Sequence, residues 1–184
     1  MSLLPKVDST LKSFLIKIIV TISIWKLLYE IIFKPTRIPD AFFTNTISAG
    51  VVWFSNLIKI TSTPLNWVKH LNNKPTFCGI MQDGYCRLII EDSCNGLELM
   101  LIYIGIIVLL PGKSILRKLL FISGGILVLI VANIVRCTAL LELIMYHPKY
   151  FEFNHHYTFT LFMYVIIFSG WLLYNKKNTG HEIK

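Results

Sequence analysis

Long apolar runs separated by short polar breaks dominate this 184-residue chain. Five stretches, residues 11–33, 41–60, 97–110, 115–146 and 157–174, read as helices. Several reach the roughly 20 residues that a helix needs to cross a hydrocarbon core of about 30 Å. Proline punctuates them: Pro35 and Pro39 mark a short connection after the first, Pro111-Gly112 stops the third, and Pro148 stops the fourth. The second run is less apolar, with Thr44, Asn45, Thr46, Ser48 and Asn56, so it is expected to face other helices rather than lipid. Lys17 and Lys26 are embedded in the first run. Either their stems snorkel along a crossing helix or that helix lies partly in the interface.

Residues 61–93 form the long non-apolar stretch. Within it, Asp83-Gly84 separates two runs rich in strand-forming residues, which is a hairpin signal because the turn needs positive φ. A two-residue loop pairs Gln82 with Tyr85, Met81 with Cys86 and Cys78 with Ile89. Cys78 and Cys86 then point to opposite faces, which argues against a disulfide between them. The expected fold is an all-α integral membrane protein. A single domain over residues 1–184 has about five transmembrane or membrane-embedded helices, and an extracytoplasmic loop, 61–93, carries a β-hairpin.

Composition agrees with that pattern. The chain is 54% hydrophobic and its mean hydropathy is +0.62, and no polar stretch is long enough to be a separate soluble domain. The net charge of +8 is scattered. It forms no basic stripe with interleaved aromatics, so nucleic acid is not an expected partner. The first apolar run is too long for a signal peptide and lacks a small-residue cleavage pattern, so it is expected to be retained. Lys113, Arg117 and Lys118 sit between the third and fourth runs, and Lys176 and Lys177 follow the fifth. Their charge places both sites in the cytoplasm and puts 61–93 and 145–154 outside. The first run fits this scheme only as an interfacial helix, or as a crossing helix that violates the charge rule.

Three reactive residues then fall at one depth. Cys94 opens the third run on the outer side and His155 opens the fifth. Arg136 lies about 20 residues into the fourth, roughly 30 Å from its cytoplasmic end. Cys94 stands in Glu91-Asp92-Ser93-Cys94-Asn95-Gly96, where a helix N-terminus favours a nucleophilic thiolate. Two nearby carboxylates oppose this, so a basic partner is required. Arg136 offers fixed donors for a developing oxyanion, and Asn133 shares its helix face. His155 or His156 is suited to moving protons. Asn95, and Glu98 one turn after Cys94, are supporting candidates. Plainer readings stand beside these: a cap-region cysteine, a structural ion pair of Arg136 with Glu98 or Asp92, and interfacial histidines. Cys78, Cys86 and Cys137 read as structural. No CxxC pair or HExxH spacing occurs, so no metal or other cofactor is expected.

Taken in order, Cys94-Asn95-Gly96, then Asn133-Ile134-Val135-Arg136, then a histidine opening the last helix resemble the exosortase/archaeosortase family over roughly residues 89–171. The stretch from His155 to Thr160 looks most like the short exosortases of the Bacteroidetes type. The resemblance implies a cysteine protease/transpeptidase of the bacterial inner membrane. Such an enzyme cleaves a C-terminal sorting signal (short motif, transmembrane helix, basic tail) from exported proteins at the extracytoplasmic face. By position, Cys94 becomes the nucleophile, Arg136 the oxyanion or substrate-orienting group, and His155 the acid/base. The family's acidic or small residue and later glycine after the histidine are replaced here by His156, Thr158 and Phe159, so His156 stays a rival. Membrane lipids surround such an enzyme, and an amine on a lipid or glycan is the implied acceptor if the protein is transferred rather than hydrolysed. Two other classes compete: a non-enzymatic helical scaffold or small transporter subunit binding an anion through Arg136, and a thiol oxidoreductase pairing Cys94 with Cys86.

Overall fold

A computed structural model describes residues 16, 19–20, 23–69, 77–110 and 114–176. They are mostly helical, with five helices and one small antiparallel sheet. Lys17, Lys113 and Lys177 lie outside the described residues.

Helix α1 covers 23–36. It does not stop before Pro35 as the sequence suggests, but continues through it to Thr36. Proline lacks an N–H and crowds the carbonyl four residues back. Here the preceding turn, Tyr29–Phe33, is wound as a π-helix, with the Lys34 N–H bonded to the Tyr29 carbonyl. This wider turn relieves the crowding. The chain breaks instead at Arg37, whose φ of 50° is left-handed, and α2 (Ile38–Leu57) begins with Pro39 in its first turn, where a missing N–H leaves no bond unmade. Of the polar positions expected to face other helices, Thr44 and Ser48 are buried, Asn45 and Thr46 are half-buried and Asn56 is exposed; Ser55 is buried as well.

The 61–93 stretch holds more strand than the all-α reading allows. β1 (Asn66–Lys69), β2 (Phe77–Gln82) and β3 (Tyr85–Glu91) form a sheet in the order β1-β2-β3. β1 is four residues of mixed polarity with no clear alternation, so its pairing with β2 depends on tertiary context. The hairpin turn is as expected, with positive φ at both Asp83 and Gly84. Gln82 pairs with Tyr85 and Met81 with Cys86, but a bulge then shifts the register, so Cys78 faces Ile90 rather than Ile89. An extra residue on one strand moves every later pair by one. Cys78 is buried and Cys86 exposed, and both are free.

Helix α3 (Leu97–Leu109) is short. Helix α4 (Ile115–Tyr146) runs 32 residues, roughly 48 Å. The last helix is composite: a 3-10 turn Pro148–Tyr150, an α turn Phe151–Phe153, a π turn Asn154–Thr158, and α5 (Phe159–Lys176). The spans Ile115–Tyr146 and Pro148–Asn175 are long and apolar enough to cross a membrane, and only 17% of the most apolar stretch of each is buried.

Two apolar cores share α4. One joins Met100, Tyr103 and Ile107 of α3 to Leu129 of α4 and Met163 and Ile167 of α5. The other joins Ile47 and Val51 of α2 to Ile80, Leu88 and Ile90 of the sheet and to Cys137 and Leu141 of α4. Glycines let the helices approach closely. A Cβ at Gly50 would overlap Ile134, and one at Gly125 would overlap the Tyr103 ring, which also lies against Gly170. Adjacent Gly124 faces open space. Gly125→Ala is therefore expected to cost about 1–3 kcal/mol through overpacking, while Gly124→Ala leaves stability unchanged or raises it. Thermal unfolding of the two variants in the same detergent checks this, and equal melting temperatures would contradict the packing.

Candidate functional site

The segment between β3 and α3 carries Cys94 and is held from three directions. Asp92–Cys94 forms a 3-10 turn, and Gly96 follows with φ of 82°, a left-handed conformation that glycine adopts without strain. Gly96 also leaves room for its neighbour, since a Cβ there would lie 3.1 Å from the Asn133 amide nitrogen.

From the α1–α2 side, Arg37 grips Asp92 with two hydrogen bonds, Nε to Oδ2 at 2.7 Å and Nη2 to Oδ1 at 2.9 Å. Thr44 Oγ1 donates to the same carboxylate at 2.7 Å. A fork-to-carboxylate pair with a third donor is both strong and orienting, and Asp92 holds the Arg37 guanidinium's pKa above its ordinary value. Asn95, 1% exposed, donates to Asp40 Oδ1 at 2.9 Å and accepts from the Leu97 N–H at 2.8 Å. The Tyr29 hydroxyl closes this set on Asp40 Oδ2 at 2.7 Å. Asn95 therefore faces α2 and anchors the loop. Asp40 and Arg37 escaped the sequence reading, which placed Thr44 only as an inward-facing polar residue. A signal was present, a charged residue at a predicted helix start, but its partners lie about fifty positions away.

From α4, Asn133 donates to the Cys94 carbonyl at 3.0 Å and accepts from Arg136 Nη1 at 3.3 Å. The i, i+3 spacing thus ties the guanidinium to the backbone of Cys94. Among the described residues Arg136 has no carboxylate within ion-pair distance, and its buried Nε has no hydrogen-bond partner. The structural ion pair is thereby corrected: Asp92 belongs to Arg37, and Glu98 is exposed.

From the last helix comes His155, whose Nε2 lies 3.9 Å from Cys94 Sγ. The histidine sits inside the helix, in its π turn, rather than before it. Its ring stacks on Phe151, with 5.5 Å between centroids and planes 9° apart. His156 points elsewhere: it is exposed and lies 3.2 Å from Glu152. The structure thus brings Cys94, Asn133, Arg136 and His155 together and leaves His156 and Glu98 outside. Cys94 contacts Ser93 and His155, and Cys86 bonds back to Leu88 of its own strand, so these contacts supply no thiol pair. Among the described residues no group of three or more His, Cys, Asp or Glu is placed to hold a metal ion.

Neither a protein-family model, nor a curated protein, nor a solved structure matches the chain.

A thiol beside an imidazole can form a thiolate–imidazolium pair, the activated state of a cysteine nucleophile. Burial pushes the Cys78 thiol up, and partial desolvation against the sheet pushes up that of Cys86 although the residue is exposed; Cys137 is buried within α4. N-Ethylmaleimide at about pH 7 should therefore label Cys94 roughly tenfold faster than Cys86, as followed by peptide mass spectrometry. His155→Ala should slow labelling at Cys94 and leave Cys86 unchanged. Identical Cys94 rates with and without the imidazole would show that the pair does not act together.

Proposed function

We propose that the chain is a membrane-embedded cysteine peptidase/transpeptidase of the exosortase type, cleaving a C-terminal sorting signal from exported proteins at the extracytoplasmic face of the bacterial inner membrane. The observation that carries this reading is the Cys94 thiol facing His155 Nε2 at 3.9 Å. Arg136 is bound through Asn133 to the backbone of the same cysteine. The distance is long for proton transfer, but such contacts commonly tighten when substrate seats. On this reading α4 and α5 cross the bilayer, and the remaining helices are embedded beside them.

The chemistry follows from the side chains. His155 takes the thiol proton, and the Cys94 thiolate attacks the scissile carbonyl to form a tetrahedral adduct. Arg136 offers its planar guanidinium donors to the oxyanion. As the adduct collapses, the C–N bond breaks, His155 returns its proton to the leaving amine, and a thioester remains on Cys94. Water or an amine on a lipid or glycan then attacks the thioester carbonyl, giving up its proton to His155. The new acid or amide is released and the Cys94 thiolate regenerated. A scaffold that merely holds an anion on Arg136 would use the same unpaired guanidinium, but it has no need of the Cys94–His155 contact.

Replacing Cys94 or Arg136 by Ala should abolish maturation of proteins ending in an apolar helix and basic tail, seen as precursor accumulation on immunoblots of host membranes. His155→Ala should lower the processing rate by roughly 10²–10⁴-fold, whereas His156→Ala should stay near wild type. Normal processing in Cys94→Ala would refute the mechanism. A His156→Ala defect larger than that of His155→Ala would refute the assignment of the histidine.

A further inference from the structure

A cavity of about 560 Å³ lies between α1 and α3, within the roughly 300–1,000 Å³ usual for ligand sites. Trp25 and Tyr29 of α1 form one wall, and Ile102, Gly105 and Ile106 of α3 the other. Its polar end is lined by Ser93, Asn95 and Gly96, the residues on either side of Cys94, and by Arg136. The seat is long as well as apolar: from Gly96 to Leu109 the axis of α3 rises roughly 20 Å. This shape suits a chain lying along a helix better than a compact solute.

Charge narrows the occupant further. Around the cavity Arg37 is matched by Asp92 and Lys34 by Glu30, while Lys26 and Glu98, and Arg136 and Asp40, carry opposite signs without pairing, so the lining charges balance. The unmet demand is a single hydrogen-bond acceptor for Arg136, whose Nε has no partner. A neutral backbone carbonyl at the polar end of an apolar segment meets that demand without bringing an uncompensated charge into the cleft. We propose that the α1–α3 cleft seats the apolar segment of the polypeptide being processed, with Gly105 as the position that admits it and Arg136 as the residue that receives its backbone at the level of Cys94. This rests on the peptidase reading above and places the substrate beside α1, a helix the catalytic groups do not touch. Gly105 supplies the room: a Cβ there would meet nothing within 4 Å, so a larger side chain would extend into the cleft without disturbing the core.

The test uses the full chain in its native host membranes. A photoreactive benzoylphenylalanine is placed at Gly105 in the Cys94→Ala background, with a control at Val128 on the exposed face of α4, and the adducts are sequenced. The expected adduct at Gly105, and not at Val128, is the C-terminal apolar segment of the same precursors that accumulate in Cys94→Ala. In the catalytically intact chain, Gly105→Leu should slow processing about tenfold or more through lost substrate binding, while Gly124→Leu should not. Adducts with lipid alone, with residues 1–22 of this chain, or with the same precursors equally from Val128 would overturn the docking site. If precursors accumulate in Cys94→Ala but Gly105→Leu processes normally, the cleft is wrong and the peptidase reading stands. If no precursor accumulates, the peptidase reading falls, and the docking site with it.

Discussion

One buried amide organises the surroundings of Cys94. Asn133 is fully enclosed; its nitrogen serves the Cys94 carbonyl and its oxygen serves Arg136. A buried amide must satisfy both ends or lose the stability that desolvation costs. The position of the cysteine backbone and the direction of the guanidinium are therefore set together. Gly96 belongs to the same constraint, because only a residue without a side chain lets the Asn133 amide approach that closely at a left-handed φ. On the other side of the loop, Asp40 and Asp92 fix Asn95 and the 3-10 turn through Tyr29, Thr44 and Arg37. The cysteine sits on a segment locked at both flanks, with its sulfur left free to meet His155.

The legible part of this structure was local. Helix α4 begins and ends where the apolar pattern does, and α3 to within one residue, because proline and glycine stop the pattern abruptly. The Asp-Gly turn was readable because its backbone demands those residues. The meeting of Cys94, Arg136 and His155 was expected from counting residues along the helices, and the three do lie together. What sequence could not show were pairings between distant positions. Arg37 with Asp92 and Asp40 with Asn95 are each 55 residues apart, and no local pattern announces such contacts. β1 was missed for the same reason, since four unremarkable residues become a strand only because β2 offers an edge. The bulge in β3 was likewise invisible, and so was the passage of α1 through Pro35. Adjacent histidines looked equivalent as letters; one faces a sulfur and the other a glutamate only because of the helix that carries them.

Helix α4 holds the architecture together by belonging to both cores. Its Leu129 packs with α3 and α5, while Cys137 and Leu141 pack under the sheet. Asn133 lies between those levels, so the polar site occupies the seam where the two apolar clusters meet. The outward face of the helix, including Leu127, Val128 and Val131, is apolar and more than half exposed. Burying such a face in lipid removes the penalty it would carry in water. On α4, polar Asn133 lies at the helix–helix seam and apolar side chains lie outside.

The π turn at Asn154–Thr158 works as a phase shifter. An α-helix turns about 100° per residue, so positions 155, 162 and 166 would share one stripe. The wide turn absorbs one extra residue, and the buried positions that follow are instead Met163, Ile167 and Tyr174. The helix thereby presents His155 to the sulfur on one side of the offset and a core-filling stripe on the other. One added residue thus brings the imidazole into phase with the stripe that anchors the helix, so the same packing that seats Met163 and Ile167 sets the direction of His155.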